Sequence, residues 1–132
     1  MSPRLATLKK RADFLRVAGG RRAARRGFVL QAAERIGDGI GVEPRVGFTA
    51  SRKVGNAVVR NRAKRRLRAL AAEVLARAGR PGTDYVLIAR AATGTVPYRA
   101  LVADLEAALR QLGQLRAPVE AAAGPRRRSK EG

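Results

Sequence analysis

Between Arg60 and Arg68 the chain reads R-N-R-A-K-R-R-L-R, six cations in nine positions with no acid among them. Side chains of this kind do one sort of chemistry well. Guanidinium and ammonium groups bind phosphate oxygens through charge-assisted hydrogen bonds, and Arg does so with a two-pronged fork. Arg60, Lys64 and Arg68 recur at i+4, so on a helix they line one edge, with Arg62, Arg65 and Arg66 fanning out beside them. Such crowding costs about 0.2–0.5 kcal/mol for each exposed like-charge pair, and phosphates would relieve it. Arg52 and Lys53 carry the patch back towards the helix start, where unpaired N–H groups and the helix dipole also favour an anion. Asn61, between Arg60 and Arg62, is either a solvent-facing amide or a polar contact to nucleic acid. An ordinary solvated helix face interleaves acids with its bases, and this one does not.

Catalysis by the chain alone finds no support. There is no His and no Cys, which removes imidazole acid–base chemistry, thiolate nucleophiles and the usual zinc ligands. The ten Asp and Glu are scattered, with no pair spaced for general acid–base work or a two-metal clamp. Ser51 has no candidate base near it. Gly37, Gly39 and Gly41 lack the strand-to-helix context of a phosphate-binding fingerprint. Twenty-nine Lys and Arg against ten acids give a formal charge of +19, a field that phosphate backbones commonly answer. The excess of Arg over Lys suits forked phosphate binding and also suits GC-rich codon usage. No apolar run approaches a membrane span and no secretory h-region is visible, so the expected location is the cytoplasm.

These cations need elements to hold them. At about 100° per residue, Val59, Ala63, Leu67, Leu70 and Val74 share one arc of a helix that starts at Asn56, a suitable N-cap, and runs to residue 78. One face should pack on a sheet while the other projects the cations. Before it, residues 45–51 (R-V-G-F-T-A-S) alternate as a strand, with Val46, Phe48 and Ala50 on one face and Gly47, Thr49 and Ser51 on the other. After it, residues 84–90 (D-Y-V-L-I-A-R) read as a central strand buried on both sides. Strand, helix and strand form a βαβ unit, so the two strands are expected to be parallel.

Upstream, residues 1–7 read as a flexible basic lead-in and residues 9–18 as a short helix with Phe14, Val17 and Ala18 on one face. Residues 21–26 read as an arginine-rich linker, 28–33 as a strand, and 36–44 as a glycine-rich hairpin connection. Downstream, Pro97 opens a last helix with Tyr98, Leu101, Leu105, Leu109 and Leu112 on its apolar stripe, ended by Gly113. Residues 117–132 read as a disordered basic tail. One domain over residues 8–116 is therefore expected, an α/β (α+β sandwich) arrangement of a small mixed sheet with about three helices. Phe14 and Phe28 are either core residues or a stacking surface for unpaired bases.

The segment R-V-G-F-T-A-S-R-K-V-G-N-A-V-V-R-N-R-A-K-R-R-L-R at residues 45–68 closely resembles the signature of the bacterial ribonuclease P protein component. K-K-R-A-D-F-L-R-V at 9–17, F-V-L at 28–30 and D-Y-V-L-I-A-R at 84–90 are similar to that family in the same order. The interleaved Gly47, Gly55, Asn56, Val58 and Asn61 carry the resemblance, since a charge bias alone would not generate them. It implies a ribosomal protein S5 domain 2-like fold whose βαβ crossover is left-handed, against the usual rule. It implies an accessory subunit, monomeric in a 1:1 ribonucleoprotein. The partners would be the catalytic RNA of ribonuclease P and precursor tRNA, whose 5′ leader that RNA removes with Mg²⁺. The expected contacts to catalytic RNA are Arg52, Lys53, Asn56, Arg60, Asn61, Arg62, Lys64, Arg65 and Arg68. By position, Phe14, Phe28, Ser51, Lys53 and Arg90 would form the family's cleft for the single-stranded leader. Ala18 and Gln31 stand where some members carry further aromatics, which points to weaker leader stacking here. Composition alone would also permit a ribosomal or other basic structural RNA-binding protein, or a DNA architectural protein. A protein-only nuclease would need a carboxylate cluster that the sequence does not offer.

Overall fold

The computed structural model describes residues 5–35 and 43–113. Residues 36–42 of the expected glycine-rich connection at 36–44, and the basic tail, lie outside these. Five strands form one mixed sheet: β1 (Ala6–Thr7), β2 (Arg21–Ala24), β3 (Phe28–Glu34), β4 (Arg45–Thr49) and β5 (Thr83–Ala89), in the order β1-β4-β5-β3-β2. β4 is parallel to β1 and β5, while β3 is antiparallel to β5 and β2. The helices are α1 (Arg11–Ala18), α2 (Ala57–Ala78) and α3 (Tyr98–Gln111), with short 3₁₀ turns at Arg52–Val54 and Ala91–Gly94. The expected parallel βαβ unit is β4–α2–β5, paired from Arg45↔Asp84 to Thr49↔Ile88.

Side-chain alternation divides the sheet into two chemically different faces. Phe28, Leu30, Ala32, Val46, Tyr85, Leu87 and Ala89 point into the main core against α2 and α3. Val86, on the other face, joins Leu8 and Val17 in a smaller cluster beneath α1, with Phe14, Ala33 and Ile88 packed around it. α2 buries Ala63, Leu67, Leu70, Ala71, Val74, Leu75 and Ala78, so its apolar arc is wider than the five-residue stripe suggests. Val59, expected on that stripe, is 39% exposed in the first turn of the helix.

Local chemistry explains the boundaries of α2. The Asn56 side chain accepts a hydrogen bond from the Val59 N–H at 3.0 Å, capping one of the orphan donors of the first turn. Gly55 precedes it at φ 151°, and a Cβ there would stand 2.8 Å from Val59, so the position requires glycine. At the other end of the chain, Gly113 takes φ 69° after α3, the left-handed step that commonly follows a helix.

Three sequence expectations are corrected. Residues 21–26 are not a linker: Arg21–Ala24 form strand β2, which buries only Ala23 and leaves its arginines on the solvent side. The lead-in over residues 1–7 is not wholly unstructured, because Ala6 and Thr7 pair with Arg45 and Val46 as β1. The connection from β3 to β4 is not a hairpin, since β5 lies between those strands.

Candidate nucleic-acid interface

α2 carries its cations on the face turned away from the sheet. Asn61, Arg62, Arg65 and Arg68 are exposed, and Arg60 and Lys64 are half-buried. Two of these are steadied without being neutralised: Arg60 donates to the Gly55 carbonyl at 3.0 Å, and the Arg68 guanidinium lies 5.6 Å from the centre of the Phe48 ring. Arg52, Lys53 and Asn56 are exposed just before the helix. Of the expected RNA-contact set, all nine therefore lie along α2 and its approach. Asn56 holds its side-chain oxygen against the Val59 N–H, so its first duty is the cap.

Arg66 is different. It was expected to fan outward with Arg62 and Arg65, but it turns inward. Its Nη1 donates to the carbonyls of Thr93 at 2.6 Å and Val96 at 2.7 Å. It ties α2 to the 3₁₀ turn that follows β5. Those carbonyls are a tertiary neighbour, and sequence spacing gives no warning of them.

The distribution of acids sharpens the contrast. Among the described residues, ion pairs involve Arg16, Arg35 and Arg45 with Asp84 or Asp13, and Arg77 with Glu106. None involves Arg52, Lys53, Arg60, Arg62, Lys64, Arg65 or Arg68. Asp84, fully buried at the start of β5, is the hub of this network. It accepts from Arg45 Nε at 2.8 Å and Nη2 at 2.7 Å, from Arg35 Nη1 at 2.7 Å, and from Arg16 Nη2. Burial pushes its pKa up, but the hydrogen bonds from Arg45, Arg35 and Arg16 outweigh that and hold the carboxyl below its ordinary value. The same pairing raises the Arg45 pKa. Sequence reasoning missed this hub, because its partners lie 39, 49 and 68 residues away.

On the α1 face, the Phe14 ring lies against the backbone of β4. A Cβ on Gly47 would come within 2.5 Å of two ring carbons, so glycine is what lets the ring settle there. Beside it an open pocket of about 310 Å³ is lined by Lys9, Arg11, Phe14 and Thr49. By register, Gln31 pairs with Val86 and so faces α1, where it is buried; Ala18 is exposed. Ser51 and Lys53 are exposed just past the end of β4, and Arg90 just past β5, both at the Thr49 end of the groove. Phe28 is not part of this groove. It has no exposed surface and points into the main core on the opposite side of the sheet. Its pairing with Ala89 fixes that direction. A larger cavity of about 380 Å³ opens beyond the C-terminal end of α1, beside Gly19, Gly20, Arg21, Ala32, Ala33 and Glu34, and gathers no comparable group of cations.

The arrangement thus offers two adjoining surfaces. One is a helix face of uncompensated cations. The other is a shallow groove with an aromatic wall and basic residues at one mouth. Among the described residues no group of three or more His, Cys, Asp or Glu converges to hold a metal, and no helix is long and apolar enough to cross a membrane.

The ribonuclease P family model matches residues 2–113. The chain is 52% identical over 117 residues to the ribonuclease P protein component of Paramagnetospirillum magneticum, covering 87% of this chain and 88% of that one. It is 52% identical over 110 residues to the ribonuclease P protein component of Ruegeria pomeroyi, covering 82% and 86%. Among solved structures it resembles the Staphylococcus aureus RNase P protein, with a TM-score of 0.63 and 30% identity over 80% of this chain and 93% of that one. It also resembles the RNase P protein from Thermotoga maritima, with a TM-score of 0.59 and 25% identity over 80% and 94%.

Proposed function

The chain belongs to the ribonuclease P protein component family, the protein subunits of an RNA-containing endoribonuclease that processes tRNA, and from that premise we propose a division of labour between its two surfaces. The cationic face of α2, with Arg52 and Lys53, binds the phosphates of the catalytic RNA. The groove between α1 and the sheet takes the single-stranded 5′ leader of precursor tRNA, using Phe14 as a stacking wall and Ser51, Lys53 and Arg90 at its mouth. One protein molecule serves one RNA, in the cytoplasm.

A single observation carries the reading: Arg60, Arg62, Lys64, Arg65 and Arg68 in the N-terminal half of α2 have no acidic partner among the described residues, while Arg16, Arg35 and Arg45 are paired with Asp84 and Arg77, near the other end of α2, with Glu106. A protein that needed these cations only for solubility would have no reason to gather them on one helix face and leave them crowded. Catalysis is indirect. The cations offset phosphate repulsion where two RNAs meet, and the groove adds grip on the leader, so substrate binds more tightly. Among the described residues the buried carboxylate, Asp84, is taken up by three guanidinium groups, and on this reading the Mg²⁺ of the holoenzyme is held by RNA oxygens.

Reconstitution tests this. The protein mixed with its catalytic RNA at low Mg²⁺ should restore leader removal that the RNA alone performs poorly, and the protein freed of RNA should cleave nothing. Absence of stimulation would point to another basic RNA-binding role. Cleavage that survives RNase treatment would contradict an accessory subunit.

A further inference from the structure

The turn between β2 and β3 holds Arg25 and Arg26, which neither the helix face nor the groove includes. It sits at the same end of the sheet as the groove mouth, because Phe28 pairs with Ala89 and Thr49 with Ile88. A connected set of hydrogen bonds fixes it there. Arg90 Nη1 donates to the Arg25 carbonyl at 2.9 Å, the Arg90 N–H donates to Thr93 Oγ1 at 2.7 Å, and Thr93 Oγ1 donates to the Gly27 carbonyl at 2.7 Å. Arg66 of α2 grips the Thr93 carbonyl in turn. Gly27 is pressed onto α3 so closely that a Cβ would lie 2.4 Å from Leu101. Arg25 Nη2 is steadied by Gln111 Oε1 at 2.8 Å. Arg26 is exposed, and neither it nor Arg25 has an acidic partner among the described residues.

We propose that this turn is a further RNA-contact site, binding phosphates of the precursor-tRNA leader after the strand leaves the groove. It rests on the reading of the groove as the leader site. Val86 is buried beneath α1, but Ile88 on the same face of β5 is half-buried and Arg90 just beyond it is exposed, so a strand leaving the groove at its Thr49 end meets Arg90 and then the turn. β3 and β4 flank β5, so this exit lies two inter-strand steps, about 10 Å, from the Ser51 and Lys53 side. The turn is held rigidly, so little ordering entropy is lost when phosphate binds. The connection through Thr93 and Arg66 keeps it in fixed register with α2.

The test uses holoenzyme reconstituted with full-length protein and precursor tRNAs of graded leader length. Arg25→Gln with Arg26→Gln should weaken long-leader substrates about ten-fold and lower the salt slope of their binding by about 1.4, for two single-strand phosphate contacts. Affinity for a short leader, for mature tRNA and for the catalytic RNA should not change. No loss with long leaders, or an equal loss for mature tRNA, overturns the proposal. Phe14→Ala separates the two readings. If it discriminates precursor from mature tRNA while the double variant has no leader-length effect, only the turn's role falls. If neither variant discriminates, the groove reading falls and the turn with it.

Discussion

Asp84 takes its importance from what converges on it. Arg16 brings α1, Arg45 brings β4 and Arg35 brings the end of β3 to one carboxylate with no exposed surface. The small cluster of Leu8, Val17 and Val86 is otherwise the main apolar hold on α1, so this network helps to keep the groove at its width. Asp84→Asn removes the buried negative charge that Arg16, Arg35 and Arg45 share and should cost about 3 kcal/mol, measured by urea unfolding. The pH dependence has a definite sign. The folded pKa lies below the unfolded value of about 3.9, so the contribution is complete above that value and is lost as pH falls through the folded pKa. The Asn variant should lack this part of the acid destabilisation. None of this was legible in the sequence, where Asp84 is one of ten scattered acids. Convergence across 39 to 68 residues leaves no local spacing to read. Phe28 and Arg66 depart from expectation for a related reason. For Phe28 residue type allows either a core ring or a stacking surface, the resemblance points to the leader cleft, and strand register settles on the core; for Arg66 residue type suggests a phosphate fork, and a neighbouring turn directs it inward.

α2 was the most legible element, because over 22 residues both a 3.6-residue apolar period and a capping residue act in the same direction. The strands that form one parallel pair were also legible, since each alternates or is apolar throughout. β2 was not, because an edge strand rich in arginine has no apolar pattern and is held by pairing with β3. β1 has only two residues and exists because β4 offers it an edge. The cap of α2 gives this scale its prediction. Asn56→Ala removes the acceptor for the Val59 N–H and should cost about 1 kcal/mol, seen as a lowered thermal midpoint. It should also weaken RNA binding if the first turn frays, because Arg60 is anchored to Gly55 in that turn. An unchanged midpoint would show that the first turn contributes nothing to folding stability.

Across the whole molecule, charge is segregated. Guanidinium groups at the Asp84 end of the sheet are paired with acids, whereas Arg60, Arg62, Arg65 and Arg68 on α2 and Arg25, Arg26, Arg52 and Arg90 at the Thr49 end have no acidic partner among the described residues. Composition indicated phosphate as that partner, but only the fold shows which cations remain available for it. The central claim is that the α2 face binds the catalytic RNA. Its most direct test is the salt dependence of protein–RNA assembly for wild type and for the quadruple variant Arg60→Ala, Arg62→Ala, Lys64→Ala, Arg68→Ala. Each lost phosphate contact removes about one unit from the slope of log K against log salt. The variant should therefore bind more weakly, with a slope shallower by about three to four units, while its circular dichroism shows the fold intact. A variant with wild-type affinity and wild-type slope would contradict the assignment of this helix to RNA.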